Sequence, residues 1–267
     1  MRVEDYIATR QVEKPEGCPC EHPVGVMLTY ERPGFLWNAV ESYWRTTKMP
    51  LAVFDDGSES KEKLDELENL EKKEIRVKRM PHRGFAVSWR EVLRHVKDDL
   101  NLFDSVVMME DDIMFARGWL EVLQKMQGGL ADKGLKQGMT TCFRPHENPQ
   151  GLRLDLRGVK AYQSMAHTFH VNMIPIEALE RFDVLEESVE LAINSKMGHG
   201  IDVYWVGLLA HKLGRVSFVS EESWVAHVGI KESLVEAQGF GPCRHNGVKL
   251  VKEIEKYDVV GRNCPVV

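Results

Sequence analysis

Acidic residues follow two short apolar runs in the first half of the chain. The first cluster is Asp55-Asp56 after LAVF, and the second is Glu110-Asp111-Asp112 after SVVMM. Like carboxylates that lie side by side repel each other unless a cation or hydrogen-bond donors separate them. Carboxylate oxygens are the ligands that suit Mg²⁺ or Mn²⁺ bridged to a diphosphate. The two clusters therefore predict a divalent-metal site that binds a phosphorylated ligand.

A turn is the alternative interpretation of both clusters. Asp and Gly are common turn formers, so the sequence DDGS at 55–58 fits a turn as well as a binding site. A turn does not require the three consecutive acids at 110–112 after five residues of buried strand. We therefore favour a functional role for the second cluster and keep both interpretations of the first.

Strands and helices alternate around these clusters. Short apolar runs predict strands at 24–30, 51–54 and 105–109, and a further strand is predicted at 75–80. Apolar residues at helical spacing predict helices at 35–44, 61–73 and 85–98. This alternation is typical of βαβ units, so we predict an α/β fold, a single domain with a mostly parallel central sheet and helices on both faces. Ligands of such sheets bind at the carboxyl ends of the strands, where both acidic clusters lie.

The second half of the chain has a less regular pattern. It predicts helices at 118–126, 175–182 and 202–213, and strands at 139–143, 166–171 and 215–220. Residues 224–229 are expected to return to the same edge of the sheet as the acidic clusters. We find no internal repeat and no linker that would divide the chain.

Composition excludes several classes of protein. Hydrophobic residues make up 43% of the chain and charged residues 28%, which is too apolar for a disordered protein. A net charge of −6 excludes the overall basic field of a nonspecific nucleic-acid binder, although a local basic groove remains compatible with it. No apolar run approaches the ~20 residues that span a bilayer, and the N-terminus is too charged for a signal peptide. We therefore expect a cytoplasmic protein.

Cysteine and histidine residues are concentrated near the two ends of the chain. Cys18, Cys20, Cys243 and His245 offer the four ligands of a structural Zn²⁺ site that would join the two ends. The spacing C-x-C-x-H is not a standard zinc-finger pattern, so reduced thiols are the alternative interpretation.

An ordered set of motifs resembles a known family. The motifs are VGVMLTYERP, LAVFDDGS, HRGFAVSWREVL and VVMMEDDIMFARGWLEVL, in that order. They resemble the metal-dependent glycosyltransferases of the Rossmann-like GT-A fold over residues 24–234, with EDD in the place of the DxD motif. The later segments GIDVYW and GRVSFVSEESWVAHVG resemble the N-acetylglucosaminyltransferase I group.

The resemblance implies a nucleotide-binding role for residues of the first three strand ends. Thr29 and Arg32 would line the nucleotide, and Asp55 or Asp56 would accept a hydrogen bond from the base. Arg83 would reach the base or the phosphates.

The resemblance also implies a metal site and a general base. Asp112 would bind the metal directly, while Glu110 and Asp111 would hold the ribose or sugar and the waters of the metal. His227 would be a second contact to the metal or diphosphate, with a hydrogen-bonded core histidine as the alternative. Asp202 corresponds to the base that accepts the acceptor proton in inverting relatives, and a plain N-cap is its alternative role.

The implied domain organisation follows these roles. Residues 1–23 would be an irregular arm, 24–235 the glycosyltransferase domain, and 236–267 a tail packed on it. Within the domain, 24–115 would bind the nucleotide and 116–235 the acceptor.

The implied reaction is the metal-dependent transfer of a hexosyl or N-acetylhexosaminyl group, with Mn²⁺ or Mg²⁺, from a UDP-sugar to a hydroxyl acceptor with inversion. The acceptor is open between a glycan, a protein and a hydroxymethylated DNA base. DNA stays among these because basic residues occur on the acceptor side: Arg144, His146, Arg153, Arg157 and Lys160. Relatives of the N-acetylglucosaminyltransferase I group carry an N-terminal membrane anchor, and no such segment occurs in this sequence.

Two other functions fit parts of the pattern. Sugar-nucleotide nucleotidyltransferases share the α/β layout, but they carry a Gly-rich basic loop where this chain has TYERPGFLWN. A noncatalytic nucleotide-sugar binding protein would need neither Asp202 nor the metal ligands, and donor turnover separates it from an enzyme.

Overall fold

The first half of the chain folds as the sequence predicts. A computed structural model describes residues 20–99, 103–144, 151–164, 170–195 and 200–228. Its first elements are β1 (Pro23–Thr29), α1 (Phe35–Thr46), β2 (Leu51–Asp55), α2 (Lys61–Lys72), β3 (Arg76–Arg79), α3 (Phe85–Asp99) and β4 (Ser105–Glu110). All seven predicted elements are present, and their bounds differ from the prediction by no more than two residues.

The second half departs further from the prediction. It contains β5 (Ile113–Phe115), α4 (Trp119–Asp132), β6 (Gln137–Thr141), β7 (Arg153–Leu156), β8 (Val159–Gln163), β9 (Val171–Pro175), a 3₁₀ turn (Ile176–Leu179), α5 (Phe182–Asn194), α6 (Ile201–Leu213), β10 (Val216–Ser220) and β11 (Val225–His227). The predicted strand at 166–171 lies mostly outside the described residues, and the strand in that region is β9. The predicted helix at 175–182 is wrong as a unit, because the chain forms a 3₁₀ turn and then begins α5.

Nine strands of the described residues form one sheet with the order β3-β2-β1-β4-β9-β6-β10-β8-β7. The first four strands are parallel to one another. Strand β9 runs antiparallel to both β4 and β6, and β10 is parallel to β6. The predicted α/β fold is confirmed, and its parallel part carries both acidic clusters at the carboxyl ends of β2 and β4.

Helices cover both faces of this sheet. Side chains of a strand alternate between faces, so Val26 of β1 packs with α3, α5 and α6, while Met27 packs with α1, α2 and α4. Strand β4 divides in the same way, with Met108 on the first face and Met109 on the second. Because both faces are buried, the central strands are continuously apolar until they reach the edge that carries the acids. No helix among the described residues is long and apolar enough to cross a membrane.

A small second sheet returns the end of the described chain to that edge. Strand β5 pairs antiparallel with β11, and Ile113 lies opposite His227. The backbone N–H of Val228 also donates to the carbonyl oxygen of Asp112 at 2.9 Å. This pairing brings His227 to the acidic cluster, although 115 positions separate it from Asp112 in the chain.

Gly57 holds the turn after β2 against the segment that leads to α3. Its φ of +77° lies in the left-handed region, and a Cβ at this position would collide with the backbone nitrogen of His82. Gly134 also has a positive φ, of +67°, but its Cβ would enter open space. Both glycines therefore have a positive φ, which L residues rarely adopt, but only at Gly57 would a Cβ collide with a neighbouring backbone atom.

We expect Gly57→Ala to lower the free energy of unfolding by about 1–3 kcal/mol more than Gly134→Ala. Both variants carry the penalty for an alanine at positive φ, and only the first adds the collision with His82. Chemical denaturation of the two variants and the wild type measures the difference. Equal losses would contradict the close packing of the two loops.

Candidate active site

Asp112 and His227 form a buried pair at the carboxyl edge of the sheet. The His227 Nε2 atom lies 3.0 Å from Asp112 Oδ2, and both side chains are almost inaccessible to solvent. Burial by itself opposes ionisation of Asp112, but the charges of His227 and Arg32 outweigh it and hold its pKa well below the usual range. Asp112 is therefore a carboxylate, as a metal ligand must be.

Arg32 bridges the last two acids of the second cluster. Its guanidinium donates to Asp111 Oδ1 at 2.6 Å and to Asp112 Oδ2 at 2.7 Å. Thr29 at the end of β1 donates its hydroxyl to Asp111 Oδ2 at 2.5 Å. Thr29 and Arg32, predicted to line the nucleotide, thus lie directly against the acids. Each oxygen of Asp111 therefore has a donor, whereas Asp112 Oδ1 has none among the described residues.

A third ligand group adjoins this pair. Glu110 Oε2 lies 2.6 Å from His170 Nδ1, and the rings of His170 and His227 stack with centroids 4.2 Å apart. One ligand atom from each of Glu110, His170 and His227 lies within 4.8 Å of the others, which is compatible with a shared metal ion. His170 was not among the residues singled out from the sequence. It faces Glu110 only because β9 pairs with β4, and Glu110 N–H donates to the His170 carbonyl at 3.2 Å.

The donor set fits a divalent cation. Asp112 Oδ1 is buried and has no hydrogen-bond partner among the described residues, so this carboxylate oxygen is a candidate metal ligand. Buried polar atoms are normally satisfied, and a bound cation would satisfy this one. A mixture of carboxylate and imidazole ligands suits Mn²⁺ better than Mg²⁺, which prefers oxygen.

A cavity of about 350 Å³ opens beside the acids. Its lining comes from the ends of β1, β2 and β4 and from the start of α3: Leu28, Thr29, Tyr30, Asp56, His82, Gly84, Phe85, Glu110 and Asp111. The rings of Tyr30 and His82 stack with centroids 4.3 Å apart. A planar group could therefore contact an aromatic wall at one end of the cavity and the acidic cluster at the other.

The two acids of the first cluster have different surroundings. Asp55 accepts the N–H of Ser58 at 3.0 Å and its hydroxyl at 2.5 Å, so its carboxylate caps the turn. Asp56 lines the cavity and accepts the backbone N–H of Arg83 at 3.0 Å and the hydroxyl of Ser88. The turn interpretation thus describes Asp55, and Asp56 is the acid that can meet a ligand.

Arg83 does not line the main cavity. Its side chain is exposed and borders a second cavity of about 220 Å³ together with Lys78, Arg79 and Ser88. What Arg83 contributes to the main cavity is its backbone N–H, which holds Asp56.

Asp202 lies in the first turn of α6, close enough to Glu110 and His170 for their charges to act on its carboxyl. Burial and, to a lesser extent, the negative charge of Glu110 raise its pKa to about 6, although the backbone N–H of Val203 and the charge of His170 oppose this rise. Gly200 lies against the Asp202 carboxylate, and a Cβ at that position would collide with Asp202 Oδ1. A carboxyl with a pKa near 6 can accept a proton at neutral pH.

Several basic residues of the predicted acceptor side are already paired. Arg144 is buried and donates to the Glu221 carbonyl at 2.7 Å, and Arg157 forms a bidentate ion pair with Asp132 at 2.7 Å. His146 lies outside the described residues. Arg153 and Lys160 are exposed, so the acceptor class stays open.

The predicted zinc site lies mostly outside the described part of the chain. Cys18, Cys243 and His245 belong to residues that the structure does not describe, and Cys20 is fully buried. The zinc site stays a prediction without structural support.

Part of the chain matches a known protein family. Residues 26–132, less than half of the chain, match the family model described as Glycosyl transferase family 2. No curated sequence matches the chain. The matches do not single out the N-acetylglucosaminyltransferase I group or the EDD motif, which stay predictions.

Solved structures with a similar fold include two glycosyltransferases. GalNAc-T7, solved with UDP, GalNAc and Mn²⁺, is 14% identical, has a TM-score of 0.53, and is matched over 77% of this chain and 42% of its own. The mannosyltransferase PcManGT from Pyrobaculum calidifontis, in complex with GDP-Man and Mn²⁺, is 17% identical with a TM-score of 0.45, over 81% of this chain and 63% of its own. The chain thus spans less than two thirds of either protein. The family match and the shared α/β architecture together show that this chain has the GT-A glycosyltransferase fold.

Proposed function

We propose that the protein is a metal-dependent glycosyltransferase that moves a sugar from a UDP-sugar to a hydroxyl acceptor with inversion. The observation that carries the proposal is the Asp112–His227 pair, which lies with Glu110 and His170 beside the cavity at the carboxyl edge of the sheet. The family match over 26–132 supports it, and GalNAc-T7, which has the same fold, was solved with UDP and Mn²⁺.

We expect the nucleotide to occupy the cavity in one orientation. The base would lie near Asp56 and the Tyr30–His82 stack, where a carboxylate can accept the N3–H of uracil. The diphosphate would then lie near Arg32, whose planar guanidinium can bind phosphate oxygens with two N–H groups. The transferred group would be a hexosyl or N-acetylhexosaminyl unit.

The chain's residues divide the chemistry between the leaving group and the acceptor. Asp112 and His227, with Glu110 and His170 adjoining, would hold Mn²⁺ or Mg²⁺. When bound, the cation neutralises the charge of the departing nucleoside diphosphate. Asp202 would accept the proton of the attacking hydroxyl on the opposite side of the anomeric carbon. The second half of the chain would present that hydroxyl, and the acceptor class stays open between glycan, protein and hydroxymethylated DNA.

Metal dependence is the first test. We expect the wild type to release UDP from a UDP-sugar with Mn²⁺, more slowly with Mg²⁺, and not at all with excess EDTA, because the imidazole ligands favour Mn²⁺. Asp112→Asn and His227→Ala should each weaken Mn²⁺ binding at least about tenfold in calorimetry or electron paramagnetic resonance. His211→Ala, an exposed histidine of α6, is the control. Full turnover in EDTA would contradict the proposal.

Substitutions of the two acids after β2 should have different effects, one on UDP binding and the other on stability. Asp56→Asn should weaken UDP binding because an NH₂ donor replaces one of the two acceptor oxygens and would oppose the N3–H of uracil. Asp55→Asn should mainly lower the melting temperature, because the Ser58 turn loses its cap. Calorimetric titration with UDP and thermal denaturation measure the two effects. The reverse assignment would follow if Asp55→Asn lost UDP binding and Asp56→Asn kept it.

Substitution of Asp202 should lower the rate of sugar transfer and leave the affinity for the donor nearly unchanged. Asp202→Asn should keep UDP affinity within a few-fold while transfer falls ~10²–10⁴-fold, the range for loss of a general base. Since the pKa of Asp202 is raised to about 6, its carboxyl gains a proton below that pH, and wild-type kcat should fall there. Asp183→Asn, another acid in the first turn of a helix, is the matched control.

Product stereochemistry is the second check on Asp202. Inversion at the anomeric carbon, seen by NMR of the product, agrees with a single displacement assisted by a base. Retention, or a near wild-type rate in Asp202→Asn, would show that the mechanism is wrong. A screen of glycan, protein and hydroxymethylated DNA acceptors by mass spectrometry identifies the acceptor class.

A further inference from the structure

Lys63 on α2 is a buried cation beside the acidic cluster. Its charged neighbours in the sequence predict a solvated helix face, yet its side chain is 0% exposed. Lysine is almost never fully buried unless it is paired, because burying an isolated ammonium is costly. Lys63 Nζ lies 2.9 Å from Glu66 Oε2 and 3.5 Å from Asp111 Oδ2. The ammonium is thus placed between an acid of its own helix and an acid of the candidate active site.

Glu66 connects this lysine to the start of α1. Its Oε1 atom accepts the backbone N–H of Trp37 at 2.8 Å and that of Gly34 at 3.2 Å. The first N–H groups of a helix have no partner within the helix, so the Glu66 carboxylate acts as a remote cap. Lys63 balances the charge of this cap and lies within 3.5 Å of the carbonyl oxygen of Arg32.

The loop between β1 and α1 is held in a strained conformation. Glu31 and Arg32 have φ angles of +48° and +27°, which residues with a Cβ rarely adopt. Such strain persists only when the surrounding structure enforces it. The Glu31 N–H donates to Ser58 Oγ at 2.8 Å, and its carboxylate accepts the N–H of Glu59 at 2.7 Å. The loop before α2 fixes Glu31 in this way, and Lys63 contacts the next residue, Arg32.

We propose that Lys63 is a positioning residue of the donor site, which holds Asp111 and the Arg32 backbone so that Arg32 and Thr29 face the diphosphate. The inference rests on the proposed function. Asp111 Oδ2 receives both the Thr29 hydroxyl and the Lys63 ammonium, so its orientation depends on the two together. Because Lys63 also lies beside Asp111, the Arg32 guanidinium can move from the acids to a phosphate while the buried Asp111 carboxylate still has a cation next to it.

Replacement of the ammonium by an apolar chain of similar length tests this role. We expect Lys63→Met to weaken UDP binding in the presence of Mn²⁺ about tenfold by calorimetry, which corresponds to ~1.4 kcal/mol. KM for the UDP-sugar should rise by a similar factor while kcat changes less, because Lys63 does not touch the reacting atoms. Lys72→Met is the matched control, since Lys72 lies on the same helix and is 63% exposed. A purely structural role would lower the melting temperature and leave the UDP affinity of the folded protein unchanged.

A second variant covers the case in which Lys63→Met does not fold. Lys63→Gln keeps N–H donors near Glu66 and Asp111 but removes the charge, so its UDP affinity should lie between those of the wild type and Lys63→Met. Wild-type affinity in a folded Lys63→Gln or Lys63→Met protein would overturn the proposal. Unfolding of both variants while Lys72→Met folds would assign Lys63 to core stability and would also overturn it.

The experiments distinguish an incorrect proposed function from an incorrect role for Lys63. If the wild type binds no UDP with Mn²⁺ and releases none from a UDP-sugar, the proposed function is wrong. If the wild type does both and the Lys63 variants match it, the function stands and only the role of Lys63 is wrong.

Discussion

The concentration of negative charge at one edge of the sheet is the constraint on which the rest of the structure depends. Asp111 and Asp112 are adjacent and buried, and two such carboxylates destabilise a fold unless cations or hydrogen-bond donors compensate them. Arg32 forms ion pairs with both acids, Lys63 lies beside Asp111, and the His227 imidazole lies within hydrogen-bond distance of Asp112. These three partners come from a loop, a helix and a distant strand. Three separate parts of the fold must therefore be correctly placed before the acids can be buried.

The parallel sheet explains why the charge collects there. Strands β1, β2 and β4 run in the same direction, so their carboxyl ends meet at one edge, and Thr29 lies opposite Asp55 in the register. Donors also satisfy the first cluster, in which Ser58 caps Asp55 and the start of the α3 segment binds Asp56. The strands thus set the positions of the acids, and the loops between strands and helices provide their partners.

The two buried acids differ in how their oxygens are partnered. Both oxygens of Asp111 have donors, from Thr29, Arg32 and Lys63, whereas Asp112 Oδ1 has no hydrogen-bond partner among the described residues. Under the proposed function, Asp111 would hold the loop that receives the nucleotide and Asp112 would bind the cation. Consecutive acids of one motif would then have different roles.

The sequence by itself determined the strands and helices of the first half and the acidic edge of the sheet. These depend on local signals, since apolar runs and helical spacing are properties of neighbouring residues. The candidate residues Asp112, Asp202 and His227 came from the resemblance of the ordered motifs to a known family. Only the tertiary structure decided which partners His170, Lys63 and Asp56 meet. His170 meets Glu110 through the β4–β9 register, and Lys63 is buried because α2 packs against the loop after β1. The Lys63–Arg32 and His170–Glu110 contacts join residues 31 and 60 positions apart, and no pattern along the chain records which side chains will meet over such distances.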